Sequence, residues 1–195
     1  LLVDHHDTRI MMTKNNQYRD NIAEMAEAAD PKKGVTRINW KNDNRVPKPG
    51  SWFTNKELAF GGVSRDLMPH LLSLYQMFEP DWRNTKPKWA KKKRNWNLED
   101  LTDSDYGEVD PNGIYDVDDF AYIDFGDFQL QTDWRSLDTD DIAVHTQTKS
   151  FKLGLCPETA YHNMITTALW EKTNDKFWQQ QMEMDLWIHQ ILDNL

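Results

Sequence analysis

The segment Phe120-Ala121-Tyr122-Ile123-Asp124-Phe125-Gly126-Asp127-Phe128-Gln129-Leu130-Gln131-Thr132-Asp133-Trp134 decides the fold class. Apolar and polar residues alternate at period two on both sides of Gly126-Asp127, which reads as two strands, Phe120–Phe125 and Phe128–Trp134, joined by a turn. Ile142–Leu153 carries the same alternation after a second turn around Asp138–Asp141. Strands that follow one another so closely argue for an antiparallel meander, because a parallel crossover needs a helix-length connection.

The elements on either side complete the picture. Val35-Thr36-Arg37-Ile38-Asn39-Trp40 alternates as a half-buried strand does, and residues 1–10 are strand-like. Asn15 to Ala29 repeats at helical spacing, with Tyr18, Ile22, Met25 and Ala29 on one stripe, and Asp30-Pro31 with Gly34 stops it. Asn42–Gly50 is a polar loop that Ser51–Glu57 continues. A second helix is predicted from Arg65 to Phe78, with Leu67, Leu71, Leu74 and Phe78 on its apolar stripe. Two more close the chain, Pro157–Lys172 and Asp175–Leu195. The predicted order is β-α-β-α-loop-βββ-αα. It implies a single α+β domain over residues 1–195: one large, mostly antiparallel open sheet with helices packed on one face.

Composition sets the outer limits. A chain of 195 residues with 38% hydrophobic and 12% aromatic content is long and apolar enough for one folded core, not a disordered tail. Its 32 acidic against 23 basic residues give a net charge of −9, which argues against a nucleic-acid binder. One cysteine, Cys156, leaves no disulfide framework and fits a reducing compartment. No apolar run reaches the roughly 20 residues of a membrane span, so a cytoplasmic protein is expected. Leu1-Leu2-Val3-Asp4-His5-His6 reads as a strand already under way, as in a piece of a longer protein.

Between Arg83 and Arg94 lie seven basic residues and no acid; between Glu99 and Asp119 lie nine acids and no base. Such neighbouring blocks read as a self-neutralising surface insertion at about residues 80–119. Trp82, Trp89 and Trp96 interleave with the bases, a pattern seen in single-strand nucleic-acid binders, but the acidic block would repel phosphate, so a partner subunit covering them is the better use.

The cleanest chemical constellation is Gly61-Gly62-Val63-Ser64-Arg65-Asp66-Leu67-Met68-Pro69-His70. Asp66 and His70 are four residues apart, so a helix puts both on one face, away from the Leu67/Leu71/Leu74 stripe. Pro69 suits a first turn and so sets Asp66 at or near the N-cap. A histidine beside a carboxylate can exchange protons with a ligand, and two glycines let backbone come close to one. The same residues also serve a purely structural use, Asp66 as a cap and His70 as a partly buried hydrogen-bonder. His5-His6-Asp7 makes a poor metal site because adjacent strand residues face opposite ways, so no metal is expected. Cys156, before a helix, lacks a histidine pattern that would make it a nucleophile. No glycine-rich nucleotide fingerprint occurs anywhere in the chain.

The strand Val35–Trp40, Trp52 in its loop, and Gly61-Gly62 with Asp66-x-x-x-His70 heading an apolar helix resemble the C-terminal domain of the glucose–fructose oxidoreductase / inositol dehydrogenase / MocA family. The likeness is detailed over residues 35–78 and follows element order elsewhere. It implies a large open sheet for homo-oligomerisation as a dimer or tetramer, and a Rossmann domain outside this chain that binds NAD or NADP. It also implies a sugar, sugar acid or polyol as substrate. By that resemblance His70 exchanges a proton with the substrate hydroxyl and Asp66 binds substrate. Trp52, Arg65, Tyr161 and His162 are second-rank substrate contacts, and Lys48, a loop lysine, is the one candidate for cofactor contact. The family's glycine between Asp and His is replaced here by Met68, followed by Pro69. That departure keeps open a non-catalytic ligand sensor or a stand-alone dimerisation module of the same fold.

Overall fold

The computed structural model describes residues 12, 14–41, 48, 50–101, 109–134, 142–154 and 157–195. Six strands form one sheet: β1 (Thr36–Lys41), β2 (Trp89–Lys93), β3 (Phe120–Asp124), β4 (Phe128–Asp133), β5 (Ala143–His145) and β6 (Ser150–Lys152). Their order is β2-β3-β4-β1-β5-β6. All pairings are antiparallel except β1 with β4, which is parallel. The open, mostly antiparallel sheet is the one expected, with two differences. The stretch Ile142–Leu153 is a hairpin of two short strands, turned at Thr146–Lys149, where Thr146 N donates to Lys149 O at 2.9 Å. The meander is also interrupted, because β1 slots between β4 and β5. Alternation reveals which residues form strands and not which strand each one pairs with.

One row of side chains crosses all six strands in register: Ala90, Ile123, Leu130, Ile38, Val144 and Phe151. It faces the helices and, apart from the partly buried Ala90, is buried. The opposite row, Lys91, Tyr122, Gln131, Asn39, Ala143 and Lys152, lies on the other face of the sheet. There Arg37 donates to Gln129 at 3.1 Å, tying β1 to β4.

The helices are α1 (Ile22–Ala28), α2 (Lys56–Ala59), α3 (Val63–Asp66), α4 (Met68–Phe78), α5 (Glu158–Trp170) and α6 (Asp175–Asp193). The first predicted helix begins instead as a 3-10 turn, Asn15–Tyr18, and only Met25 and Ala29 of its stripe are fully buried. Asp30 caps the turn Pro31–Lys33 through Lys32 N, which ends α1 where Pro and Gly predicted. Helix α4 lies on β1 and β4, and α1 and α6 pack against α4. Tyr75 of α4 stacks on Phe125 at 4.3 Å and on Trp187 of α6 at 5.7 Å. Burial pushes the Tyr75 hydroxyl pKa up to about 12.

The basic stretch is more than surface loop: its centre is β2, an edge strand of the sheet. Trp82 is 5% exposed and packs edge-on to Trp187, so it is core and not an interaction surface. Trp89 is 54% exposed. No helix among the described residues is long and apolar enough to cross a membrane. The strand-like residues 1–10, His5, His6, the turn at Asp138–Asp141 and Cys156 lie outside the described residues.

Candidate functional site

The predicted helix over Arg65–Phe78 is two helices, α3 and α4, broken at Leu67. Asp66 is therefore the last residue of α3, whose N-cap is Gly62, and it lies one residue before Leu67, the N-cap of α4, near that cap as the position of Pro69 predicts. The carboxylate that holds the start of α3 comes from far along the chain: Asp118 accepts from Ser64 N at 2.7 Å and from Ser64 Oγ at 3.0 Å. Val63 N donates to the Asp118 carbonyl at 2.8 Å. Gly62 serves that contact and not a ligand, since a Cβ there would stand 1.8 Å from Asp118 O. Pro69 sits in the first turn of α4, as its missing N–H requires.

The break turns Asp66 and His70 toward one cleft of about 380 Å³, which they line with Lys48 and Ser51; Trp40, Phe53 and Leu67 form its apolar wall. Trp40 is the penultimate residue of β1, and its ring lies 5.4 Å from that of His70, edge-on at 63°. Trp134, just past β4 and 1% exposed, donates Nε1–H to Asp66 Oδ2 at 3.0 Å. Phe53 tilts against Trp134 at 5.6 Å. The His70 carbonyl accepts from Ser73 Oγ at 2.7 Å, which fixes the backbone beneath the imidazole. The cleft thus opens at the carboxyl ends of β1 and β4, the one parallel strand pair among the described residues, the position where open sheets with such pairs present ligand sites.

Of the residues singled out by sequence, Asp66, His70 and Lys48 share this cleft. Trp52 does not line it; it is 63% exposed and packs on Phe53 at 5.0 Å. Arg65 points elsewhere, to Asp193 at 2.7 Å. Tyr161 and His162 are exposed near the start of α5, a helix that packs on the Asn15–Tyr18 turn. Sequence reading missed Trp40, Ser51, Phe53 and Trp134. Trp40 closed a strand already recognised, whereas nothing local marks Trp134 as the partner of Asp66. Met68 is fully buried in the core cluster, so the side chain that replaces the family glycine does not enter the cleft.

Chemically the cleft offers a carboxylate that can accept from hydroxyls, an imidazole that can carry a proton, an ammonium donor, and aromatic walls. This mixture suits a small polyhydroxylated ligand. The strand–glycine turn–helix that cradles a pyrophosphate does not occur among the described residues. No group of three or more potential metal ligands exists among the described residues.

No family model matches the sequence, and no curated protein matches it. Among solved structures the chain is similar to levoglucosan dehydrogenase in complex with NADH and levoglucosan, at 16% identity and a TM-score of 0.49, over 72% of this chain and 38% of that one. It is similar to an oxidoreductase domain protein from Kribbella flavida at 16% identity and a TM-score of 0.48, over 74% and 40%. A probable dehydrogenase from Thermotoga maritima aligns at 12% identity and a TM-score of 0.49, over 96% and 63%. The matched region is less than two thirds of each of those chains.

Proposed function

We propose that this chain is the C-terminal substrate-binding and oligomerisation domain of an NAD(P)-dependent oxidoreductase of the glucose–fructose oxidoreductase / inositol dehydrogenase / MocA kind, acting on a sugar, sugar acid or polyol. The observation that carries the reading is the convergence of Asp66, His70 and Lys48 on one aromatic-walled cleft at the carboxyl ends of β1 and β4. A nicotinamide held by a separate Rossmann domain supplies hydride transfer in this reading, and no step is assigned to a cofactor bound by this chain.

What the chain's own residues do follows from their chemistry. Asp66, oriented by the Trp134 N–H, accepts a hydrogen bond from a substrate hydroxyl. His70 takes the proton from the hydroxyl that becomes a carbonyl, and returns it in the reverse direction. Trp40 keeps the imidazole facing the cleft, and with Phe53 offers ring faces to the apolar side of a sugar. Lys48 donates to a second substrate oxygen.

The test is NAD(P)H turnover by the full-length parent over a panel of sugars, sugar acids and polyols, with His70→Ala and Asp66→Asn beside wild type. His70→Ala is expected to lower kcat by about a hundredfold or more, the scale of a lost general acid/base. Turnover unchanged in both variants moves the chemistry elsewhere. Saturable sugar binding without turnover by wild type makes the chain a sensor.

A further inference from the structure

The acidic stretch that ends at Asp119 has a place in the fold that its charge does not explain. Residues 113–119 run past three segments that build the Asp66–His70 cleft, although none of them lines it. At one end they brace the loop that supplies Lys48, Ser51 and Phe53. Gly50 pairs with Ile114 as an antiparallel bridge. The two backbones pass so closely that a Cβ on Gly113 would stand 2.4 Å from the Gly50 Cα. Thr54 is fully buried, and its Oγ–H is shared between the Ile114 carbonyl at 2.7 Å and the Ser51 carbonyl at 2.8 Å. The Thr54 carbonyl accepts from Asp116 N at 3.2 Å, and the Asp116 carboxylate accepts from Lys56 N, at the start of α2, at 2.7 Å.

At the other end the same residues hold both partners of the Trp134–Asp66 hydrogen bond. Asp118 fixes the start of α3, whose last residue is Asp66, through Ser64 N, Ser64 Oγ and, at 3.4 Å, Gly62 N. The next carbonyl, that of Asp119, accepts from Trp134 N at 3.0 Å. The Asp119 side chain is wholly buried and anchors the stretch to the end of β2. It accepts from Asn95 N at 2.8 Å, Trp96 N at 3.1 Å and Tyr115 Oη at 3.3 Å. Tyr115, Val117 and Asp119 are buried in alternation, so these residues are pinned to the body of the domain. A loop whose acids served only solubility would leave them to water. Here Asp116, Asp118 and Asp119 each take donors from the chain itself, the stronger, charge-assisted kind of bond.

We propose that residues 113–119 are a positioning strap that sets how tightly the cleft holds its ligand, with Thr54 and Asp118 as positioning residues on its two limbs. The proposal rests on the reading of the cleft as a sugar or polyol site. Lys48 and Asp66 reach the cleft from different elements, so their spacing depends on what joins those elements, and the strap touches both. His70 is held independently: α4 rests on β1 and β4, and Ser73 of the same helix fixes the His70 carbonyl. Loosening the strap therefore weakens binding and leaves proton transfer in place.

Steady-state kinetics of the full-length parent with D-glucose, D-gluconate and xylitol test the proposal. Thr54→Val and Asp118→Asn are each expected to raise KM about fivefold, the scale of one hydrogen bond, with kcat kept within about twofold. Ser64→Ala, which removes one donor to Asp118, takes the place of Asp118→Asn if the latter does not fold. A role in folding alone lowers Tm and the active fraction, so kcat falls at constant KM; that result overturns the strap. A KM rise in only one variant overturns the limb of the other. A second readout needs no turnover. In 1H–15N spectra of the 195-residue chain, Asp118→Asn is expected to move the Trp134 indole N–H resonance toward its position in Asp66→Asn. An unmoved resonance overturns the strap whatever the kinetics. If wild type turns over none of the three compounds, the functional reading fails and the resonance alone decides the strap.

Discussion

Asp66 and His70 are separated by three residues that do different work: Leu67 breaks the helix, Met68 enters the core and Pro69 sits in the first turn of α4. Their pairing was legible because it rests on local spacing, and Lys48 joined them from the adjoining loop. Trp134 and Phe53 were not legible, since an indole that meets a carboxylate 68 positions away leaves no trace in either neighbourhood. The same holds for Asp118, which caps α3 from 54 positions beyond Ser64. Arg65 was credited to the substrate because it flanks the motif in sequence, but on a helix its neighbour faces another way. The close approach at Gly62 makes a sharp prediction. Gly62→Ala must push the Asp118 carbonyl off α3, and a loss of about 2 kcal/mol or more is expected, read as a fall in denaturation midpoint without a change in m. Gly62→Ala as stable as wild type would mean that the two segments are not held as described.

At the scale of elements, Asp185 of α6 gathers two contacts from the beginning of the described chain, the Lys14 ammonium and Met12 N, the latter at 3.0 Å. Lys14 is 1% exposed, and burial holds its pKa below the ordinary value even though Asp185 works against that shift. Asp185→Ala strands this cation, at an expected cost of about 3–5 kcal/mol, whereas Lys14→Met with Asp185→Leu removes both charges and costs much less. The pH dependence has a definite sign. A depressed lysine pKa means the folded state sheds its proton first, so stability rises with pH between the lowered value and the ordinary 10.5. Thermal melts across that window should show Asp185→Ala recovering part of its deficit at alkaline pH; a flat profile would place Lys14 in water. Strand and helix identities were largely readable from periodicity. The hairpin inside residues 142–153 and the 3-10 start at Asn15 were not, because four-residue turns do not disturb an alternation enough to be seen.

Over the whole molecule, the helices cover one side of the sheet and leave the other to a polar layer in which Arg37, Gln129, Asp124 and Tyr122 interact. In the reading proposed above a second copy of the chain covers it. Light-scattering mass should then be a multiple of the single chain, and Arg37→Glu should return it to one chain with Tm nearly unchanged. A single-chain mass for wild type at all concentrations rules out this use of the face. The sheet order, which alternation alone could not reveal, has another consequence. Strand β1 is the first of the six in sequence yet sits inside the sheet, and both of its neighbours are made later: Arg37 waits for Gln129, 92 positions on, and then for His145. A nascent chain emerging from a ribosome therefore carries Ile38 and Trp40 with no strand to join until most of the domain has been synthesised. Its sheet must assemble after translation of β4, slowly and by long-range closure, and any product cut short before that point has an apolar strand open to chaperones, proteases and its own copies.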